Sequence, residues 1–229
     1  MSNQRSEDII RLVNQKGSIS ITELAEATFA SPSTVRRELE RLARQGLVRR
    51  HHGGAESVLT LRPPRIIRHE RNQAEKMIVA EKAAQRVSAG SVIFLDASTT
   101  VQYMIPYLPT EGLTVYTNGA DTAMRLAEAG IRTVCTGGEL LTESMAYVGD
   151  VAIDTLSKVY FDAMFFSTAA FDEEIVSDWS EAESALRRAV IEGSAKRYFL
   201  ADHTKRGIRY PHIVCRTALP DEIICDEKD

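Results

Sequence analysis

The sequence predicts a two-part α/β protein, in which a small helical module with a β-hairpin precedes a larger domain built on a mostly parallel sheet. Two observations carry this prediction. Across residues 1–55, apolar residues recur at helical spacing in short segments, and two short extended segments follow. From Ser91 onward, short apolar strands alternate with helical stretches, which is typical of a parallel sheet with helices on both faces. A chain of 229 residues has room for one small and one medium domain.

The first module is predicted to begin with two short helices. The first covers residues 5–16, and Gly17 is expected to stop it. A short extended link over residues 18–21 follows. Thr22 is expected to cap the second helix, which runs to Thr28.

A third helix and a hairpin complete the module. Ser31 is a favourable N-cap, and Pro32 stands at the first helical position, where its missing N–H costs nothing. One face of this helix is expected to bury three residues, Val35, Leu39 and Leu42. Gly46 is expected to end the helix. Residues 47–55 then form two short strands around a glycine-containing turn.

The chain beyond this module divides into a linker and a second domain. The expected boundaries are a first domain at residues 1–57, a linker at 58–71 and a second domain at 72–229. Pro63 and Pro64 mark the linker. A long helix is predicted from Asn72 to Ser88, with Ile78 and Val79 on its apolar side. Strands are then predicted over residues 92–95, 113–116, 131–135, 163–166, 198–200 and 222–225, and one clear helix over residues 181–192.

The charge is distributed unevenly between the two parts. The net charge is −4, yet residues 1–55 carry nine Arg and Lys against six Asp and Glu, a net of +3. A weakly acidic body with one basic end suits a protein whose nucleic-acid contact is confined to a small module. The same pattern argues against an architectural protein that coats DNA of any sequence.

Several classes are excluded by what the sequence contains. Apolar runs stay well below the roughly 18 residues of a membrane span, and the polar N-terminus suggests a helix rather than a signal peptide. The three cysteines, Cys135, Cys215 and Cys225, are far apart and indicate reduced thiols of a cytoplasmic protein. We therefore expect neither a bound metal nor a cofactor, and no membrane partner.

Three helices with a hairpin wing form a unit that fits the major groove of double-stranded DNA. The third helix would present its N-terminal side chains to base edges, and its arginines could contact guanine or phosphates. The wing would meet the flanking backbone or the minor groove. The predicted DNA contacts are Ser33, Thr34, Arg36, Arg37, Arg41, Arg49, Arg50, His51, His52 and Gly53. The alternative is a solvated face whose arginines pair with Glu38 and Glu40.

These residues also carry a resemblance. The run Ser31-Pro-Ser-Thr-Val-Arg-Arg-Glu-Leu-Glu-Arg-Leu42, followed by Gly46 and by Arg50-His-His-Gly-Gly-Ala55, resembles the DeoR family of bacterial regulators of sugar metabolism. Glu38 stands where the family usually has Asp, which preserves the charge. The resemblance implies a winged helix-turn-helix that binds operator DNA.

Small polar clusters follow several strands of the second domain. They are Asp96–Thr100, Thr117-Asn118, Gly137-Gly138 and Asp202–Lys205. Ligands of open parallel sheets bind beyond the carboxyl ends of the strands, so these clusters are expected to share one site. Hydroxyls, free helix N–H groups and a lysine favour an anion, with phosphate the natural choice.

The second domain resembles the sugar-phosphate sensor domain of the DeoR family, which is similar to ribose-5-phosphate isomerase. This resemblance implies a phosphorylated sugar or related metabolite as effector. By resemblance, the effector residues are Asp96, Ser98, Thr99, Thr100, Asn118, Gly137, Gly138, Asp172, Glu183, Arg187 and Lys205. Two positions depart from the family pattern, because Ala97 replaces the usual Gly and Arg187 stands where Lys is common.

Winged helix-turn-helix proteins usually act as dimers or higher oligomers on paired half-sites, so we expect a homo-oligomer, a dimer or a tetramer. The resemblance implies that it represses a carbohydrate operon until the effector binds. The sequence alone leaves the sugar, the operator and the sign of regulation open. A rival interpretation is a sugar-phosphate isomerase with an appended DNA-binding module. Asp172 or Glu183 would then be the general base, with Lys205 as its electrostatic partner. We favour the sensor, because the DNA-binding module has no role in an isomerase.

Overall fold

The computed structural model describes residues 2–16, 18–45, 47–51, 53–57 and 65–227, with side chains from Arg5 onward except that of Gln15. The chain divides into two compact units, residues 1–67 and residues 68–229. Gly17, Gly46, His52 and the Pro63-Pro64 pair lie outside the described residues, so the predictions made for them stay predictions.

The first unit is a winged helix. Its elements are α1 (Ser2–Lys16), β1 (Ser18–Ser20), α2 (Ile21–Ala27), α3 (Pro32–Arg44), β2 (Val48–His51) and β3 (Gly54–Ser57). The predicted three helices and hairpin are confirmed. The predicted extended link is in fact a third strand, because β1 pairs antiparallel with β3 and gives the sheet order β1-β3-β2.

The start of α2 corrects one prediction. Ser20, and not Thr22, is the N-cap, and the helix begins at Ile21. The Ser20 hydroxyl accepts from the Glu23 N–H at 3.2 Å, while the Glu23 carboxylate accepts from the Ser20 N–H at 3.0 Å. This reciprocal capping box needs a carboxylate three residues after the cap, which only Ser20 provides. These hydrogen bonds from Ser20 lower the pKa of Glu23 to about 2.

The core of the first unit forms where α1, α2 and α3 meet the sheet. Val35, Leu39 and Leu42 of α3 are buried together, as their spacing predicts. They pack with buried residues of the other elements, among them Ile9, Val13, Leu24 and Val48. The opposite face of α3 is thereby left to its polar and charged residues.

The segment predicted as a linker contains a helix, α4 (Arg65–Glu70), in its described part. The long helix predicted from Asn72 to Ser88 is shorter, because α5 covers Gln73–Ala84. Val79 is buried as expected, but Ile78 is 46% exposed. The buried face of α5 instead follows residues 76, 79, 80 and 83, a spacing that includes Lys76.

The second unit is built on a six-stranded sheet. Its further helices are α6 (Thr99–Gln102), α7 (Ala120–Glu128), α8 (Asp150–Ser157) and α9 (Glu181–Glu192). Its strands are β4 (Val92–Leu95), β5 (Thr114–Thr117), β6 (Arg132–Cys135), β7 (Glu139–Leu141), β8 (Ala146–Val148), β9 (Ala163–Phe166), β10 (Ala170–Phe171), β11 (Ile175–Asp178), β12 (Arg197–Ala201), β13 (His212–Arg216) and β14 (Glu222–Cys225).

The large sheet has the order β14-β12-β9-β4-β5-β6, and each neighbouring pair is parallel. Successive side chains of a strand point to opposite faces, so the sheet separates two cores. Ile93 and Leu95 pack on the α5 side, whereas Phe94 packs on the side of α8 and α9. All six predicted strands of this sheet are present, so the predicted parallel-sheet fold is confirmed.

The smaller sheets were not predicted. Strands β10, β11 and β13 form an antiparallel sheet, and β7 and β8 form a hairpin. These strands have two to five residues. At that length, alternation is too brief to distinguish a strand from a loop.

No helix within the described ranges is both long and apolar enough to cross a membrane. The three cysteines all lie in the described range, and none of them forms a disulfide bond there.

Candidate functional site

The N-terminal end of α3 presents a cluster of hydroxyls. Ser31 caps the helix and accepts from the Thr34 N–H at 3.2 Å. The Ser31 hydroxyl also hydrogen-bonds the hydroxyls of Ser33, at 2.9 Å, and Thr34, at 2.8 Å. Three short polar side chains therefore share one helix end, where the helix dipole favours a negative partner such as phosphate.

Arg36 and Arg37 follow these hydroxyls on α3. Both are exposed, because the buried face of the helix passes through Val35 and Leu39 on either side of them. An exposed guanidinium keeps its five N–H donors available for phosphate or guanine. Among the predicted DNA contacts on α3, Arg36 and Arg37 are thus exposed to a partner.

Arg41, another predicted DNA contact, has protein partners instead. Its guanidinium pairs with the Glu38 carboxylate at 2.9 Å and also hydrogen-bonds the Ser6 hydroxyl. Ser6 in turn donates to Glu38 at 2.9 Å. The hydrogen bond from Arg41 lowers the pKa of Glu38. This network joins α1 to α3, so Arg41 contributes to packing within the unit.

The wing carries exposed, loosely paired cations. Arg49 lies 3.3 Å from Glu56, and Arg50 lies 3.1 Å from Glu40. His51 contacts the Ser18 hydroxyl at 3.3 Å. Exposed ion pairs of this kind contribute at most about 1 kcal/mol, so a phosphate can replace the carboxylate at little cost.

Two glycines shape the wing turn. Gly53 is exposed at a φ of +104°, and its carbonyl accepts from the Ile21 N–H at 2.9 Å. A Cβ on Gly54 would lie 2.3 Å from the Ile19 carbonyl oxygen, because β1 approaches β3 there. Gly53 is therefore required by its left-handed conformation, and Gly54 by the close approach of the β1 backbone.

In the second unit, buried polar residues follow four neighbouring strands of the large sheet. Asp96 follows β4, Asn118 follows β5, Ser167 follows β9 and Asp202 follows β12, and each is at most 3% exposed. The carboxyl ends of parallel strands meet at one edge, so the four residues lie along the same edge of the sheet.

Arg187 of α9 organises the centre of this edge. Its Nε lies 2.8 Å from Asp96 Oδ2 and its Nη1 lies 2.8 Å from Asp178 Oδ2, with all three side chains buried. Burial opposes the charged form, but Asp96 and then Asp178 outweigh it and hold the pKa of Arg187 above its ordinary value. Arg187 and Asp96, both predicted effector residues, thus neutralise each other and fix the geometry of the edge.

The loop after β4 is held from several sides. The Asp96 carboxylate accepts from the N–H groups of Ser98, at 3.0 Å, and Ser167, at 3.2 Å. Ser98 caps α6, and the Ala97 N–H donates to the Asn118 side chain at 3.0 Å. A loop with so many internal hydrogen bonds presents its hydroxyls in a fixed arrangement.

Lys205 supplies the cation at this edge. Its ammonium donates to the hydroxyls of Ser167, at 2.7 Å, and Thr100, at 3.3 Å, and lies 4.0 Å from the Asp202 carboxylate. Burial lowers the pKa of Lys205. The structure therefore brings the predicted residues Asp96, Thr100 and Lys205 together, with Ser167 as the link between them.

Three other predicted effector residues lie apart from these contacts, namely Asp172, Gly137 and Gly138. Asp172 closes the turn between β10 and β11 and pairs with Arg209. Gly137 and Gly138 follow the edge strand β6 with φ values of +65° and +104°. A Cβ on Gly138 would lie 2.6 Å from the Val148 carbonyl oxygen, so this glycine serves close packing. Glu183 is buried in the first turn of α9, one turn before Arg187.

Sequence reasoning missed Ser167, Asp178 and Lys76. Ser167 carried the same signal as Asp96, because each directly follows a predicted strand. Lys76 lies on the helical spacing of Val79 and Ala83, which a charged residue rarely shares without a reason. Asp178 gave no signal, since its strand was not predicted.

In the part of the chain that the structure describes, no group of three or more His, Cys, Asp or Glu side chains is placed to hold a metal ion. The donors at the strand ends are hydroxyls, an ammonium and backbone N–H groups. Such a set suits an anion such as a phosphate.

Two family models match the chain. Residues 5–60 match the DeoR-like helix-turn-helix domain, and residues 71–227 match the DeoR C terminal sensor domain. The first match covers the α3 and wing surface, and the second covers the edge that holds Asp96 and Lys205.

Curated relatives extend over most of the chain. An uncharacterized HTH-type transcriptional regulator, YulB of Bacillus subtilis, is 36% identical over 92% of this chain and 83% of its own length. The lactose phosphotransferase system repressor of Staphylococcus aureus is 34% identical over 89% of this chain and 84% of its own. The glycerol-3-phosphate regulon repressor of Escherichia coli is 32% identical over 89% of this chain and 82% of its own.

Solved structures show more distant likenesses, which concern the fold alone. The eIF2B delta structure from Chaetomium thermophilum has a TM-score of 0.52 at 13% identity, over 90% of this chain and 64% of that one. Ribose 5-phosphate isomerase A from Methanocaldococcus jannaschii has a TM-score of 0.45 at 17% identity, over 59% of this chain and 55% of that one. The two domain matches and the relatives together establish the family: this chain belongs to the DeoR family of DNA-binding transcriptional regulators.

Proposed function

We propose that this protein is a repressor of a carbohydrate-metabolism operon, which binds double-stranded operator DNA and is released by a phosphorylated sugar or a related metabolite. The names of two relatives, a lactose phosphotransferase system repressor and a glycerol-3-phosphate regulon repressor, support this class of target and effector. Operator DNA as the partner implies action in the bacterial cytoplasm.

The proposed DNA contacts are the exposed polar residues of α3 and the wing. Arg36 and Arg37 enter the major groove, with Ser33 and Thr34 at the helix end beside them. The wing residues Arg49, Arg50, His51 and Gly53 meet the flanking backbone, together with His52, which the structure does not describe. Arg41 stays among the proposed contacts, and its guanidinium would exchange Glu38 and Ser6 for a phosphate.

The observation that carries the effector proposal is the pairing of the Lys205 ammonium with two hydroxyls. Lys205, Thr100 and Ser167 converge at the carboxyl edge of the sheet, with Ser98 and Thr99 in the same loop. A phosphate would accept from the Lys205 ammonium and the Thr100 hydroxyl. The Ser167 hydroxyl donates to the Leu200 carbonyl oxygen and accepts from Lys205, so it holds the ammonium in place. Asn118 and Asp96 hold the loop, and Arg187 holds Asp96, so we assign these residues to positioning.

Regulation requires that the effector favour one arrangement of the DNA-binding modules over another. Winged helix-turn-helix proteins commonly bind paired half-sites as dimers. We therefore propose a homo-oligomer, a dimer or a tetramer, assembled through the sensor domains. Effector binding at Lys205 changes how its DNA-binding modules match the half-site spacing.

We propose a sensor rather than an enzyme. Asp172, one of the two carboxylates considered as a general base, is tied to Arg209 and to backbone N–H groups, and the hydrogen bond from Arg209 leads in lowering its pKa to about 2. A carboxylate of that pKa is a weak base. Incubation of the protein with ribose 5-phosphate is expected to give no ketose. Isomerisation that depends on the presence of this protein would reject this part of the proposal.

The test of the whole proposal uses a DNA duplex selected from a random pool on the wild-type protein. Fluorescence anisotropy then reports how a panel of sugar phosphates changes the affinity for that duplex. We expect one phosphorylated sugar to release wild-type protein, Lys205→Met to bind DNA normally but not respond, and the surface control Lys158→Met to respond fully. If the effector releases Lys205→Met from DNA at the concentration that releases the wild type, the proposed effector site is rejected. If the selection yields DNA of no preferred sequence, the proposal of a specific operator is rejected.

A further inference from the structure

We propose that Lys76 is a second lysine of the phosphate subsite and that it takes up a proton when the effector's anionic group binds there. The response of the regulator to its effector then depends on pH, with a stronger response in more acidic solution. This inference rests on the proposed function, since it takes Lys205 and the neighbouring threonines as the phosphate subsite.

The geometry places Lys76 beside the same loop that Lys205 contacts. The Lys76 ammonium donates to the Arg68 carbonyl oxygen, and the Thr99 hydroxyl donates to that same oxygen at 3.4 Å. Lys205 donates to the adjacent Thr100 at 3.3 Å. Lys205 thus contacts one of two neighbouring threonines directly, and Lys76 is joined to the other through the Arg68 carbonyl oxygen.

The charged groups with the largest influence on Lys76 are mostly cations. They are Lys205 and Asp202 from the segment after β12, Arg68 from α4, and Arg71 from the turn before α5. Three of these four are cations. The one carboxylate, Asp202, also accepts from Asn72 at 3.0 Å and from Thr204, and it lies 4.0 Å from Lys205. Among these four groups the cations outnumber the carboxylate, which favours a further anion beside them.

Burial of an amine among cations is costly unless an anion completes the group. Lys76 is 4% exposed. Its burial, followed by the charge of Lys205, lowers the pKa of Lys76 to about 7. The negative charge of a bound dianion offsets both influences and raises the pKa of Lys76. Binding therefore draws a proton onto Lys76.

The sign and the size of the effect follow from this linkage. Below about pH 6 Lys76 is already charged before the anion arrives, and above about pH 8 most molecules must first gain a proton. The anion should therefore bind about tenfold more weakly near pH 8 than near pH 6. Near neutral pH, binding should take up about half a proton for each molecule.

A purely structural lysine makes a different prediction. If Lys76 only tied α5 to the Arg68 carbonyl, its replacement would change stability and leave the protonation linked to anion binding unchanged. Proton uptake therefore distinguishes a group of the binding site from a packing residue.

The experiment uses sodium sulfate as the probe, because sulfate stays a dianion throughout this pH range. Isothermal titration calorimetry of the full chain at constant ionic strength, in buffers of different ionisation enthalpy, measures both affinity and proton uptake. Sulfate binding that Lys205→Met removes defines the site. We expect that binding to weaken about tenfold from near pH 6 to near pH 8, with proton uptake.

Two variants assign the proton to Lys76. Lys76→Arg keeps its charge at every pH used and is expected to bind sulfate without pH dependence or proton uptake. Lys76→Met should bind weakly at every pH, and the exposed control Lys158→Arg should match the wild type. Thermal unfolding verifies that each variant is folded.

The inference is overturned if wild-type protein binds sulfate without proton uptake, or if Lys76→Arg retains the wild-type pH dependence. It is also overturned if no sulfate binding depends on Lys205. Sulfate binding with Lys76-dependent proton uptake, in a protein that no sugar phosphate releases from DNA, supports the inference and rejects the proposed effector class. Release from DNA by a sugar phosphate, without Lys76-dependent proton uptake, supports the proposed function and rejects the inference about Lys76.

Discussion

The two units use arginine in opposite ways. In the first unit Arg36 and Arg37 lie exposed on α3. In the second unit Arg187 is 3% exposed and lies 2.8 Å from both Asp96 and Asp178. The exposed pair remains available to a partner, whereas the buried arginine is committed to its own fold.

The difference separates contact residues from positioning residues. An exposed arginine can be removed at little cost to stability, because water solvates whatever it leaves behind. A buried arginine cannot, because the two carboxylates that pair with it would lose a counter-charge in a desolvated place. Changes in the first unit should therefore act on binding, and changes in the centre of the second should act on folding.

Replacement of Arg187 should give the largest effect. Arg187→Met removes the buried cation that pairs with Asp96 and Asp178, and we expect a loss of about 3–5 kcal/mol in the free energy of unfolding of the second unit. Urea unfolding followed by circular dichroism measures it. The neighbouring Arg188 makes an exposed pair with Glu181, so Arg188→Met should cost less than about 1 kcal/mol. Equal losses in the two variants would contradict the distinction.

Replacement of Arg37 should affect DNA binding alone. Arg37→Ala is expected to weaken binding to the selected duplex by about 1–3 kcal/mol, because a base or phosphate contact is lost. This is a roughly tenfold to hundredfold loss of affinity. Its free energy of unfolding should stay within about 0.5 kcal/mol of the wild type. Arg44→Ala, at the opposite end of α3, is the matched control. Normal DNA binding by Arg37→Ala would mean that α3 does not dock as proposed.

Replacement of Lys76 should stabilise the protein. The folded-state pKa of about 7 lies below the ordinary 10.5, so the folded protein bears a cost that is fully present below about pH 7 and fades as pH rises toward 10.5. Lys76→Met should therefore gain about 1–3 kcal/mol near neutral pH and nothing near pH 10. Unfolding by urea at both pH values tests this. A variant destabilised equally at both would show that Lys76 is a structural residue.

The smallest expected effect concerns Phe29, between α2 and α3. Phe29 is 97% exposed and has a φ of +49°, a left-handed conformation that aromatic residues rarely adopt. Phe29→Asn should raise the free energy of unfolding of the first unit by about 0.5–1 kcal/mol, because Asn tolerates this conformation better. Phe29→Leu, which keeps the strain, serves as control in the same unfolding measurement. A gain of equal size in Phe29→Leu would exclude backbone strain as the cause.

Much of the fold follows from the sequence, because its signals are local. The spacing of Val35, Leu39 and Leu42 is sufficient to orient α3, and Ser31-Pro32 is sufficient to start it. The Ser20 cap was missed because Thr22 is an equally good capping residue by type. Only the carboxylate of Glu23, three residues after Ser20, distinguishes the two positions.

The site is less predictable, because its contacts join distant parts of the chain. Asp96 and Arg187 were both expected at the effector site, but their mutual pairing spans 91 residues and depends on how α9 packs. Arg41 and Arg37 look equivalent in sequence, yet only Arg41 meets Glu38 and Ser6. Residue type predicts which groups can act, and packing decides which of them are already engaged.

The most direct test of the central proposal is the anisotropy titration of the selected DNA duplex with sugar phosphates, with wild-type protein and Lys205→Met compared side by side. We expect one sugar phosphate to release the wild type while Lys205→Met stays bound. If both proteins respond alike, or if no member of the panel releases the wild type, the carboxyl edge of the sheet is not a sugar-phosphate sensor.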